Sequence, residues 1–245
     1  MNISSIPATL ESIEHHYVDV NGTTLHYIQA GTVGTPILLV HGFPESWWAF
    51  HKVIPLLAAT HRVFAVDLRG FGDSAPAWER FDSATSADDL HELIAVLRVG
   101  PVHLVGQDIS GGTVFRLAAT HPEDVLSFTG TEMGLAGFGL EGLADVTHGG
   151  SWHIGVIATP GIAEMLFTGR EEEILGNWAF PTMTAVTGSI TENDHQLIGI
   201  LRREHGIAKT VVIKVDTQCS ADARSGRRLS RLGPAQLPAR PGPHP

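Results

Sequence analysis

The chain has 245 residues, 43% of them hydrophobic and 17% charged, which excludes disorder for the bulk of it and suits one large domain with or without an insertion. Sixteen lysines and arginines against 26 aspartates and glutamates leave a formal charge of −10, so neither nucleic acid nor an anionic membrane surface is an expected partner. The single cysteine, Cys219, excludes an internal disulfide and any thiolate metal site.

Residues 1–14 carry no basic leader followed by an apolar run, and no later stretch reaches the length of a membrane-spanning helix. A soluble, cytoplasmic protein is expected. Fourteen histidines are scattered without a His-Glu-x-x-His spacing, so no metal is expected either.

Residues 15–30, HHYVDVNGTTLHYIQA, form two alternating segments around Asn21-Gly22, a dipeptide that favours positive φ, and predict an opening hairpin. Ile37–Val40 and Val63–Val66 are short apolar runs of the kind buried on both faces of a sheet. Between them, 47–59 has helical spacing interrupted by Pro55. Ser86 to Val99 reads as a helix that starts at the Ser86 cap and puts Leu90, Leu93, Ile94 and Leu97 on one face. Val102–Val105 is a third buried run, and another helix is expected over Gly111–Thr120. Alternating strands and helices argue for an α/β protein with a doubly wound, mostly parallel sheet.

From about Gly134 the pattern becomes Gly-rich and helical, which predicts a helical insertion ending near His205. Beyond Asp222 no acidic residue remains, and five arginines alternate with prolines in a stretch unable to bury a core.

The chemistry concentrates in Val102–Gly112. Asp108 sits between Gly106 and Ser110, with Gly111 next, as a sharp strand-to-helix turn requires of its neighbours. Ser110 competes for the role of nucleophile, but it would put Asp108 two places before itself, where the turn favours glycine. Asp108 needs no base to attack, because its carboxylate is ionised at neutral pH, and attack on carbon would leave an ester. The N–H of Ile109, at the start of the following helix, faces the place where negative charge develops.

Three segments, HGFPESW (41–47), DLRGFGDS (67–74) and GQDISGG (106–112), resemble in order and spacing the α/β-hydrolase fold family, in its branch with an aspartate nucleophile that includes epoxide hydrolases and dehalogenases. The likeness runs over roughly 15–205, and TPGIAEMLFTGREEEIL (159–175) resembles a cap of the epoxide-hydrolase kind. It implies an α/β-hydrolase core over 1–133, a helical cap over 134–205 and a divergent, disordered tail over 206–245, with the last strands missing. It also implies Asp108 as catalytic nucleophile and the N–H groups of Phe43 and Ile109 as oxyanion hole. His41, Gly42 and Pro44 would then shape the motif loop, Pro44 through a cis-prone bond. Trp152 and His153 would line the substrate pocket, Trp47 would be pocket wall or core, and Arg69 and Asp73 would be structural. The implied partners are a small apolar substrate and water, with no cofactor.

The chain departs from the family where a histidine after the last strand should activate water. After the cap only His205 and His244 remain, neither in a strand-to-helix loop. Val211–Val215 is a candidate late strand with Asp216 as an orienting acid, and a truncated or frame-shifted C-terminus is the expectation. Ile109 stands where haloalkane dehalogenases have a halide-binding Trp. Ile109 and Gly112 also stand where haloacetate dehalogenases have arginines. The only tyrosines, Tyr17 and Tyr27, lie in the hairpin rather than in the cap. Epoxide opening through an Asp108 ester is the first expectation. Dehalogenation and a non-catalytic fragment are the alternatives.

Overall fold

Asn21 and Gly22 adopt φ of +43° and +75°, the paired left-handed conformation that closes a two-residue hairpin between β1 (Ile13–Val20) and β2 (Thr23–Ala30). The computed structural model describes residues 10–76, 81–157, 159, 161–170, 172–186, 188–191 and 194. His205, Val211–Val215, Asp216, His244 and the Pro/Arg-rich stretch all lie outside them.

The hairpin pairs antiparallel with β4 (Arg62–Val66), and β4, β3 (Pro36–Val40), β5 (Val102–Gln107) and β6 (Val125–Thr131) run parallel in the order β1-β2-β4-β3-β5-β6. Alternate residues of β3 serve opposite faces. Leu38 and Val40 join Phe64, Leu90, Leu93, Val114 and Leu117 in one core. Ile37 and Leu39 join Ile28, Trp47, Trp48 and Ile54 in the other. A strand covered on both sides must read as continuous apolar sequence, and β3 is buried throughout. β5 instead alternates buried and half-buried residues. Next to it β6 is the edge of the described sheet, with Leu126 47% and Phe128 39% exposed.

Three helices connect these strands, with differences from the sequence reading. The 47–59 segment divides into a 3₁₀ turn, Trp47–Phe50, capped by Ser46, and α1 (Ile54–Ala58), where Pro55 sits in the first turn and needs no N–H partner. The next helix, α2 (Ser83–Leu97), begins three residues before Ser86. Its cap is Asp82, which accepts from Thr85 N–H at 2.9 Å, while Ser86 is buried in the helix. α3 (Ser110–Thr120) follows β5 directly.

Arg69 and Asp89 form a buried bidentate pair (Nε to Oδ2 2.6 Å, Nη2 to Oδ1 2.5 Å) that ties the loop after β4 to α2. Beside it His26 Nδ1 lies 2.8 Å from Asp67 Oδ2, and Asp67 also accepts from the N–H groups of Trp47 and Asp73. The structural role expected for Arg69 is thus visible in its side-chain contacts, while the cited contact of Asp73 is through its backbone N–H.

After β6 the described chain is helical: 3₁₀ turns over Leu140–Ala144 and Val146–His148, α4 (Trp152–Ile157), α5 (Ile162–Phe167), a π-helix over Glu172–Ala179 and α6 (Phe180–Met183). Ile157, Ala163 and Phe167 form a small core of their own, against which Phe43 of the motif loop packs. A second tie joins Trp48 Nε1 to Asp194 Oδ1 at 3.0 Å. Among the described residues no helix is long and apolar enough to cross a membrane.

Candidate active site

Parallel register brings the site together. Val40 stands beside Val66 on one side and Gly106 on the other, so the chains leaving β3, β4 and β5 emerge level at the carboxyl end of the sheet. That end, where neighbouring connections diverge, is where open α/β sheets hold ligands.

Asp108 follows β5 at φ +51°, a left-handed conformation uncommon for a side chain with a Cβ. It is held there by its own N–H, which donates to Thr131 O at 3.2 Å, and by Gly111 N–H, which donates to Asp108 O at 3.0 Å. Packing makes the turn's glycines necessary. A Cβ on Gly106 would run into Val114 of α3, and one on Gly111 would run into Met133. Gly112 has room, with Ser83 Cβ at 3.6 Å as its nearest neighbour.

The carboxylate of Asp108 reaches the loop after β3. Phe43 N–H donates to Asp108 Oδ1 at 2.8 Å, and the Phe43–Pro44 bond is cis. Gly42 permits this approach, since a Cβ there would lie 2.5 Å from Asp108 Cβ. Ile109 is the N-cap of α3 and places its N–H at the same helix entrance. Phe43, Asp108 and Ile109 are therefore brought together.

Ser110 is directed elsewhere. It is 0% exposed, and its Oγ donates toward Val40 O (3.0 Å) and Gln107 O (2.8 Å) while accepting from Gln107 N–H (2.8 Å). The hydroxyl fastens the turn to β3 and cannot reach a ligand above Asp108 without breaking those bonds.

His41 is also committed. Its Nε2 accepts from Leu68 N–H at 3.1 Å, which leaves Nδ1 as the protonated nitrogen donating to Gly42 O at 2.7 Å. Burial lowers its pKa against the opposing pull of Asp67, Gly42 O and Asp108, so the ring is neutral and shapes the loop.

Of the two places expected for Trp47, pocket wall or core, it takes the core. It is 2% exposed, packed beside Trp48 and His15, because the 3₁₀ turn points it under the loop into the apolar layer. Trp152 and His153 start α4. His153 meets Trp178 edge-to-face at 5.7 Å, and Trp152 lies 4.9 Å from the same ring. Burial lowers the His153 pKa and the Asp108 charge works against that shift, so the imidazole lies within electrostatic reach of the carboxylate. Trp152 itself is exposed.

One group in the site was not singled out from the sequence. Glu45 Oε2 accepts from Gly42 N–H at 3.1 Å and from Gln107 Nε2 at 2.8 Å. Burial pushes its carboxyl up to about 7, the two hydrogen bonds oppose the rise, and the Asp108 charge adds to it. Its signal in the sequence was an acid inside an otherwise apolar motif, HGFPESW.

A family model described as alpha/beta hydrolase fold matches residues 35–139, the stretch that contains β3 through β6 and all three motifs. Residues 35–139 belong to the α/β-hydrolase fold family. This α/β-hydrolase segment is related to the branch of epoxide hydrolases and dehalogenases. The chain is 42% identical over 106 residues to a soluble epoxide hydrolase of Corynebacterium sp. (strain C12), covering 43% of this chain and 37% of that one. It is 38% identical over 122 residues to a fluoroacetate dehalogenase of Burkholderia sp., covering 48% and 40%. The crystal structure of wild-type Cfl2 from Burkholderia cenocepacia superposes with a TM-score of 0.75 at 27% identity, over 87% of this chain and 74% of that one. The α/β-hydrolase match thus spans about two fifths of each of these two curated relatives.

Proposed function

We propose that the protein is a hydrolase that opens small apolar epoxides by attack of Asp108 on a ring carbon. The observation that carries this reading is the 2.8 Å bond from Phe43 N–H to Asp108 Oδ1, combined with the engagement of Ser110 Oγ in the turn. With Oδ1 anchored, Oδ2 is the oxygen presented for attack. The carbon–oxygen bond of the ring breaks as the ester bond to Asp108 forms, and the ring oxygen takes a proton. The Glu45 carboxyl, pushed up to about 7 by burial and the Asp108 charge, is the group that holds a proton for that oxygen near neutral pH.

Hydrolysis of the ester requires water to lose a proton. The N–H groups of Phe43 and Ile109 serve the oxyanion that forms when water adds to the ester carbonyl. His41 is spent on its loop, so among the described groups that feel Asp108 only Glu45 and His153 can accept a proton. The first half-reaction is therefore expected to outrun the second. In this reading residues 134–205 act as a cap over a core of 1–133.

The relative named as a fluoroacetate dehalogenase makes carbon–halogen cleavage the second reading. Ile109 and Gly112 offer no cation for a haloacetate carboxylate, which favours the epoxide. The test follows styrene oxide consumption and fluoride release from fluoroacetate in parallel, with Asp108→Asn as control. Loss of styrene oxide only in the presence of the unsubstituted protein is expected. Fluoride release without epoxide consumption would overturn the choice of substrate, and activity undiminished in Asp108→Asn would overturn the nucleophile.

A further inference from the structure

His91 lies within α2, and His121 and Asp124 flank the turn that leads from α3 into β6. Although His91 and Asp124 are 33 positions apart, His91 Nδ1 faces Asp124 Oδ2 at 2.6 Å. The imidazoles of His91 and His121 stack with centroids 3.8 Å apart and planes 15° from parallel. We propose that His91, His121 and Asp124 form a binding site for a borderline dication of the zinc class, remote from Asp108.

One ligand atom from each of the three residues lies within 4.8 Å of the others. A tetrahedral zinc with bonds of about 2.0–2.1 Å spaces its ligands by roughly 3.4 Å, so the His91–Asp124 side, now 2.6 Å, would open by about 0.8 Å while the longest side, at most 4.8 Å, would shorten by up to about 1.4 Å. Two neutral imidazoles and a carboxylate are the donor set that such ions take in preference to magnesium or calcium. Glu123 Oε1, 3.4 Å from His121 Nδ1, is a fourth donor at the rim. All three side chains are half-buried, open enough to load yet backed by the contact between α2 and α3.

A second group of this kind, His26, Asp67 and Asp73, is a useful contrast. There Asp67 is already saturated by Trp47 N–H, Asp73 N–H and His26, and the cluster is complete as a hydrogen-bonded knot. At the proposed site His91 Nδ1 and Asp124 Oδ2 share a hydrogen bond at 2.6 Å, and an ion would replace the shared proton as the two atoms part to ligand spacing.

Location assigns the consequence. Asp124 immediately precedes β6, whereas Asp108 lies past the carboxyl end of β5, so the ion would sit at the opposite end of the sheet. It would pin α2 to the start of the edge strand and stabilise the fold without touching the site of chemistry.

The experiment titrates the whole metal-free protein with zinc chloride by calorimetry and with cobalt(II) by visible absorption. One saturable equivalent is expected, with the intense absorption of four-coordinate cobalt and a rise in Tm. His121→Gln and, separately, Asp124→Asn should weaken binding by about tenfold or more, with the metal-free Tm checking that each variant folds. His148→Gln, at an exposed histidine paired with Asp145, should change nothing. No saturable binding, octahedral cobalt absorption only, or affinity that survives both substitutions and falls with His148→Gln would overturn the site.

Discussion

Phe43 N–H and Asp108 Oδ1 meet at 2.8 Å across 65 positions of sequence, and the glycine before Phe43 is what lets them meet. A methyl group on Gly42 would sit 2.5 Å from Asp108 Cβ and 2.9 Å from its Oδ1. Gly42→Ala should therefore fold but push the carboxylate off its anchor. A displacement near 1 Å costs on the order of 100-fold in rate, so alkylation by a reactive epoxide should slow by about that factor, read by intact mass against time.

Ser110 provides the complementary case. Ser110→Ala removes a hydroxyl that bridges β3 and the turn, leaving Val40 O and Gln107 N–H short of partners in the interior. Stability should fall by about 1–3 kcal/mol in urea melts, while the alkylation rate of the folded fraction stays within a few-fold. A loss of chemistry larger than the loss of folded protein would return Ser110 to the role of nucleophile.

Arg69 and Asp89 hold α2 to the sheet from inside. Asp89→Ala strands a buried guanidinium and also deprives Asn21 Nδ2 of its 2.8 Å acceptor. Chemical denaturation should report a loss of about 3–5 kcal/mol, the range for removing one partner of a buried pair. Glu92→Ala, one turn of exposed hydrogen bonding away, should cost far less.

Glu45 makes stability depend on pH in a direction opposite to most carboxylates. Its folded pKa, about 7, is above the ordinary 4.5, so the folded state holds the proton more tightly. Stability is therefore full below about pH 4.5 and is lost as pH rises through 7, with a ceiling of about 3 kcal/mol. Glu45→Gln keeps an acceptor and a neutral charge. Its Tm should match the unsubstituted protein near pH 4.5 and exceed it at pH 8.

The hairpin was legible because Asn21-Gly22 has one good use between alternating segments, and β3 and β4 because burial on both faces leaves no polar residue to interrupt Ile37–Val40 or Val63–Val66. The sharp turn at Asp108 was legible because it has no room beside Val114 and Met133, which shows in the sequence as Gly106 and Gly111. Other features depend on distance in the chain. Trp48 meets Asp194 across 146 positions, and no local pattern announces that tie. Trp47 follows the motif loop, where pocket wall and core are both open to it, and the short 3₁₀ turn rotates it into the core. The start of α2 was misplaced for a related reason. Asp82 starts the helix because its carboxylate takes both the N–H and the hydroxyl of Thr85, at 2.9 Å each, which leaves Ser86 buried inside the first turns. Glu45 was overlooked because its significance lies in burial next to another carboxylate, which the residue string does not display.

The identity of the nucleophile is tested most directly by mass. The whole protein is mixed with excess styrene oxide, quenched in acid at short times and analysed intact and by peptide mapping. One added substrate mass should appear on the peptide containing Asp108, as an ester cleaved by mild base, in the unsubstituted protein and in Ser110→Ala. Asp108→Asn should carry none. An adduct of the same extent in Asp108→Asn, or one mapped to Ser110 or His153, would contradict attack by Asp108.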